Sequence, residues 1–449
     1  MESIVSLPGF AEWMARQRWY PGDSPRPRLI DSYRLATDDD GLEAQVLIVA
    51  DGTTGAIYQV PLALRARSIP GATVIADLNG RSVSDGTHDS AVVAALFQLC
   101  YTGGSSVGDG ITVSGVAFSP GDNRVSGTRV LAGEQSNTSI IIDMVDPHGE
   151  SAPPAIVKVF RMIHHGDNPD VVLQSAIAAA GSDRVPRSIG ALVGEWGGLR
   201  GHLAFAQEFM PGTRDAWRVA LEAATRGDDF TARARDLGAA TAEVHSVLAS
   251  AMPTAPPSIE RVDNLAESLR TRALAAAVAV PEIEPLMPAI QAIYDRALGE
   301  PWPALQRVHG DYHLGQVLDV PARGWVLLDF EGEPLRPMGE RNMPDLALRD
   351  VAGMLRSFDY VAGSVALSDP SSAERAQTWA MTARTAFLEG YRASGLDNLD
   401  AHPTLLAALE LDKALYETLY EVRNRPDWLA IPRSAVERLV QAGSNSLNG

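Results

Sequence analysis

Lysine is almost missing from this 449-residue chain: Lys158 and Lys413 are the only two among 38 basic side chains, so arginine carries nearly all the positive surface charge. A lysine kept against that bias points to a need for a compact ammonium rather than a planar guanidinium. Cysteine is scarcer still, and the single Cys100 excludes an intrachain disulfide and suits a reducing compartment. Long apolar runs are absent. The longest, Ala273 to Val280, is far too short to span a bilayer, and the start interleaves Phe10, Trp13 and Met14 with Glu12, Arg16 and Arg18, as in an amphipathic helix rather than a leader. Excess positive charge is lacking too. A formal charge of −18 argues against nucleic acid or an anionic membrane as partner. No Walker-type Gly-Lys-Ser/Thr occurs, which removes a P-loop.

What is present is concentrated in His309-Gly310-Asp311-Tyr312-His313-Leu314-Gly315-Gln316, followed by an apolar stretch ending in Asp329-Phe330-Glu331. Phosphoryl transfer from ATP needs a carboxylate beside the attacking hydroxyl, an oxygen ligand for Mg²⁺ five residues on, and a second metal-binding carboxylate at a strand end. Asp311 fits the first role, Gln316 the second and Asp329 the third. Val317-Leu318 and Val326-Leu327-Leu328 read as strands joined by a turn at Pro321 to Gly324, which returns Asp329 to the loop. His309 and His313 read as loop braces, with His313 beside Asp311 on the acceptor side.

Lys158 closes the apolar run Ile156-Val157, like the lysine strand that reaches the α- and β-phosphates in kinases. The loop before it, Gly133 to Ser139, is rich in hydroxyls and amides, so Gln135, Ser136, Asn137 and Thr138 are expected to cover the phosphates. Gln207, Glu208 and Met210 fall where a hinge would hold adenine. The stretch Gly104-Ser105-Ser106-Val107-Gly108 matches a hydrolase elbow formally, but lacks the preceding strand and following helix that the elbow needs.

These segments are similar to aminoglycoside phosphotransferase-like kinases and, within them, resemble the actinobacterial maltokinases and related glucosamine kinases. The similarity rests on the loops above, on Arg16 to Tyr20, and on Glu340-Arg341. It continues through Arg349 to Met354, Arg356 to Tyr360, and Asn424-Arg425-Pro426-Asp427-Trp428-Leu429, so it covers nearly the whole chain. It implies a bilobal α+β protein-kinase-like fold with an N-terminal cap: cap 1–95, β-rich nucleotide lobe 96–210, helical lobe 211–449. Helical periodicity over Arg233 to Leu248, Asn264 to Val278 and Thr378 to Ala393 agrees.

The acceptor is read from the helical lobe. Glu410, Glu417 and Glu421 share one face of a helix expected over Leu405 to Val422, and Trp428 offers an aromatic surface for a sugar ring. An acidic pocket favours glucosamine, whose ammonium it would hold, giving glucosamine 6-phosphate. Maltose and then an aminoglycoside are the alternative acceptors, and a pseudokinase is the non-enzymatic option. The expected protein is a cytoplasmic ATP:sugar kinase using Mg²⁺. The acid pairing with Lys158 is not legible, since Val172 occupies a plausible position and only Asp170 is near.

Overall fold

A computed structural model describes residues 2–131, 136–333, 336–395 and 398–445. The chain divides into two compact units, Met1–Ser175 with Pro186–Pro211, and Ala176–Val185 with Gly212–Gly449.

The first unit is built on two antiparallel sheets. One runs Pro27–Leu35, Leu42–Asp51, Ile57–Arg65, Arg81–Asp85, Val74–Leu78, with the short Met162–Ile163 strand added to Ile57–Arg65. The other orders Ser105–Val107, Ile111–Ala117, Ser188–Trp196, Leu199–Glu208, Ser151–Phe160, Asn137–Val145 and Arg124–Val130. Within Leu42–Asp51, Val46 to Ala50 is a continuous apolar run because both its faces are covered. Val46 and Ile48 join a core with Phe97, Ile140, Val157 and Phe205, while Leu47 and Val49 join another with Phe10, Trp13, Trp19 and Tyr58. Residues on both sides of the expected 1–95/96–210 division thus contribute to one core.

The amphipathic helix expected around Phe10 to Arg18 is Pro8–Ala15, and a second helix, Ser90–Thr102, is capped by Asp89 at Ala91 and Val92. The elbow-like stretch Gly104 to Gly108 contains the edge strand Ser105–Val107, and Ser106 Oγ donates to the Arg34 carbonyl. That is no nucleophile elbow.

The second unit is helical around Leu348–Ser368, in which residues 350–359 are buried without interruption. The expected helices appear as Thr231–Ala251, Ile259–Ala279, Ala373–Arg392 and Pro403–Asn424. The expected hairpin is Val317–Val320 with Gly324–Leu327, joined by a third short strand, Arg214–Asp215, that sequence reading placed in helix-forming territory.

Polar groups inside the first unit are held by Arg161, 1% exposed, whose Nη2 donates to Asp85 Oδ2 and Thr87 Oγ1, both at 2.8 Å, and whose Nε donates to Thr138 Oγ1. Removing one partner of a buried pair orphans the other charge, at a cost of about 3–5 kcal/mol. Arg161→Met is therefore expected to lower the urea-unfolding free energy by about 3 kcal/mol, and adding Asp85→Asn to recover much of it. Unchanged unfolding in the single variant would contradict this network's role.

Candidate active site

In the first unit, Lys158 lies on the interior strand Ser151–Phe160, opposite Ser139 on one neighbour and Phe205 on the other. Its Nζ is 2.9 Å from Asp170 Oδ2. Asp170 belongs to the first turn of Pro169–Ala179, where a carboxylate is favoured by the helix dipole, and its other oxygen accepts from Gln174 Nε2. The entry to that helix is fixed in two steps. Asn168 Oδ1 accepts the Asp170 N–H at 2.9 Å, and the Asn168 N–H donates to His202 Nδ1 at 3.0 Å. His202 must be neutral to accept, and burial holds its pKa down to about 4.

The remaining nucleotide-side residues are placed as follows. Gln207 and Glu208 end the strand Leu199–Glu208, and the N–H groups of Glu208 and Phe209 donate to the carbonyls of Arg187 and Pro154. Two of the hinge donors are thus already engaged within the sheet. Met210 is buried. Ser136 precedes the strand Asn137–Val145, while Asn137 and Thr138 are buried at its start. Gln135 lies outside the described residues.

In the second unit the His309 to Gln316 loop is pinned from below. Asp350, buried in Leu348–Ser368, accepts the N–H groups of His309 (2.8 Å) and Gly310 (2.9 Å) and faces His245 Nε2 at 3.0 Å. Burial works against its charge, but His245 and these donors win and lower its pKa. Gly310 turns at φ 85° with its Cβ direction facing Gly332, and Gly353 lets the helix approach so near that a Cβ would meet the Tyr312 carbonyl at 2.5 Å. His309 is a brace: Asp311 N–H points at its Nδ1, its Nε2 lies 2.8 Å from the Leu328 carbonyl, and its ring stacks near Phe330.

The hairpin does bring Gln316 and Asp329 together, with Gln316 Nε2 donating to Asp329 Oδ2 at 3.0 Å, and Leu328 N–H donating to the Gln316 carbonyl. Asp329 adopts φ 62°, rare outside glycine and tolerated by aspartate, which aims its carboxylate back at the loop. A half-turn of the Gln316 amide would present its oxygen beside that carboxylate. His313 Nδ1 accepts from Gly315 N–H at 3.0 Å, and burial lowers the ring's pKa, so it is neutral near pH 7.

The acidic helix Pro403–Asn424 does align its three glutamates, but not as an open face. Glu410 and Glu421 are 4% and 1% exposed. Glu410 meets Arg384 at 2.8 Å, Glu417 meets Arg356 at 2.7 Å, and Glu421 meets Arg425 at 2.6 Å and Tyr360 Oη at 2.9 Å. Periodicity gave the shared side of the helix; each of its carboxylates is already ion-paired, Glu410 and Glu417 to arginines of other helices and Glu421 to Arg425 at the end of its own. Trp428 stacks on Tyr360 and lies under Arg425.

Sequence reading passed over Lys413, Glu333 and Asp350. The lysine bias that singles out Lys158 applies equally to Lys413. Its Nζ is 2.7 Å from Glu333 Oε1 and 3.5 Å from Asp311 Oδ1. Burial alone would raise the pKa of Glu333, but Lys413 and Arg336 hold it at about 2. Asp350 sits forty positions beyond Gly310, and no local signal links them.

The family model described as the maltokinase N-terminal cap domain matches residues 13–89, and that described as the phosphotransferase enzyme family matches residues 173–380. The chain is 30% identical over 331 residues to the glucosamine kinase of Streptacidiphilus jiangxiensis, covering 69% of this chain and 72% of that protein. It is 27% identical over 388 residues to the glucosamine kinase of Mycolicibacterium smegmatis, covering 83% and 93%. A solved glucosamine kinase in complex with glucosamine, ADP and inorganic phosphate shares the fold, with TM-score 0.72, 22% identity and 98% of each chain covered. Among the described residues, no helix is long and apolar enough to cross a membrane.

The His202 geometry makes stability pH-dependent. Its folded pKa lies below the unfolded value, so the unfolded chain takes up a proton first on acidification. Stability is full above about pH 6.5 and falls as pH drops toward 4, by up to about 3 kcal/mol. His202→Asn should flatten that part of a pH series of urea melts, and an unaltered slope would contradict the assignment.

Proposed function

This chain belongs to the phosphotransferase enzyme family of aminoglycoside phosphotransferase-like kinases, with a maltokinase-type N-terminal cap, and on that premise we propose that it is an ATP-dependent glucosamine kinase. The observation that carries the acceptor is the 30% identity to a glucosamine kinase over 72% of that protein's length. The chemistry is carried by one loop and one hairpin that hold Asp311 in place and set Gln316 and Asp329 in contact.

In this reading Asp311 orients the acceptor hydroxyl and takes its proton, with His313 beside it as a neutral hydrogen-bonding group. Lys158, held by Asp170, reaches the α- and β-phosphates. Ser136, Asn137 and Thr138 with Gln135 belong to the phosphate cover, and Gln207, Glu208 and Met210 to the adenine side. Glu410, Glu417, Glu421 and Trp428 form the acceptor-side wall, acting through the arginines they hold.

A carboxylate and a side-chain amide in contact, both hard oxygen donors, fit Mg²⁺, which takes few protein ligands and completes its shell with phosphate oxygens and water. Gln316 and Asp329 would hold it, and it supplies neutralisation of the phosphate charge. Division into a 1–95 cap, a 96–210 nucleotide lobe and a 211–449 acceptor lobe belongs to the same proposal, as does a cytoplasmic location, favoured by the single reduced Cys100.

Two expectations test this reading. In an ADP-release assay with MgATP, glucosamine should be consumed in preference to maltose, glucose and aminoglycosides. Turnover of maltose with none of glucosamine would return the protein to the maltokinase reading. Asp311→Asn should leave ATP affinity nearly intact and reduce kcat by at least about 100-fold, whereas Asp329→Asn should weaken MgATP binding as well. Retained turnover in Asp311→Asn would remove that carboxylate from the chemistry.

A further inference from the structure

The helix Pro403–Asn424 delivers the chain's second lysine into the charge cluster around the catalytic loop. Lys413 Nζ is 2.7 Å from Glu333, 3.5 Å from Asp311 and 5.0 Å from the centroid of the Tyr416 ring. Burial would discharge a lone ammonium. Glu333 and Asp311 outweigh it, so the pKa lies above the ordinary lysine value and the group stays charged. Its strong hydrogen bond goes to Glu333, and the aromatic face takes up part of the remaining charge. The 3.5 Å to Asp311 is an electrostatic contact beyond the usual hydrogen-bond range, and it places the cation beside the carboxylate assigned to the acceptor's proton in the reading above.

Resting on the phosphotransfer reading above, we propose that Lys413 is the acceptor-side cation of the reaction, paired with Asp311 before transfer and neutralising the charge that arrives on the acceptor afterwards. The acceptor oxygen forms its bond to the γ-phosphorus as the bond from that phosphorus to the β–γ bridging oxygen breaks. ADP departs with the electron pair, and the hydroxyl proton passes to Asp311. Asp311 thereby loses its negative charge at the moment the acceptor gains a phosphate. Lys413 exchanges one anionic neighbour for another without moving, and a fixed charge that need not reorganise is what lowers such barriers. A compact ammonium suits this place, because a guanidinium fork would demand a planar partner on each side of the step.

A plainer role would make Lys413 only the counter-ion that ties Glu333 to the acceptor helix. Two variants separate the roles, measured by steady-state kinetics on the full chain with MgATP and glucosamine. Lys413→Met keeps the chain length but not the charge. Lys413→Met with Glu333→Gln removes both charges of the short ion pair while Arg336, which also meets Glu333, keeps Asp345, and it serves even where the single variant fails to fold. The expected result is a fall in kcat of about 100-fold or more in both proteins, with the KM for ATP within about threefold of the parent. A kcat within about threefold in Lys413→Met, or recovery of kcat in the double variant, overturns the proposal. Absence of ADP release from the parent protein with every sugar would instead overturn the kinase reading itself.

Discussion

The second unit is organised around one buried carboxylate. Asp350 collects the N–H groups of His309 and Gly310 and the His245 ring, which in turn meets the Tyr391 hydroxyl at 2.8 Å. Hydrogen bonds to a charged group contribute about 1.5–3 kcal/mol each, and an unpaired buried carboxylate costs at least as much. The loop is therefore held in a left-handed turn at Gly310 by a charge that has no better place to go. From that turn follow the direction of Asp311, the brace from His309 to the Leu328 carbonyl, and the aim of Asp329.

Arginine's dominance acquires a structural reason in the same unit. Arg356 is 1% exposed by side chain and bridges Asp359 and Glu417, while Arg384 bridges Asp359 and Glu410. Arg438 reaches Asp359 at 2.6 Å as well. A planar fork can serve two carboxylates from different helices at once, which an ammonium does less well. Buried ion pairs of this kind are costly to desolvate and costlier to break singly. They fix helix register more than they add stability.

Local features were legible in the sequence. The His309 to Gln316 loop and its hairpin are contiguous, so spacing alone set Gln316 beside Asp329, and composition bias isolated Lys158. Features that depend on a distant segment were not. Asp170 occupies the first turn of its helix, a position that becomes the partner of Lys158 only once the strand and helix are packed. Glu410, Glu417 and Glu421 were correctly aligned along Pro403–Asn424, yet periodicity carries no information about what lies opposite. The arginines that neutralise Glu410 and Glu417 come from Leu348–Ser368 and Ala373–Arg392, elements read independently of the acidic helix.

Both lysines are sheltered and ion-paired, with side chains 17% and 23% exposed. Apart from the α-amine, every nucleophilic nitrogen of that kind therefore sits against a carboxylate in the interior, and the arginine-covered exterior offers none to acylating reagents. Acetyl donors, N-hydroxysuccinimide esters or reducing-sugar aldehydes meet a molecule whose surface is chemically quiet toward them. Any slow adduct that does form on an ε-amine lands next to Asp170 or Asp311. Amine acylation, which on most proteins decorates the periphery, would in this one break internal ion pairs.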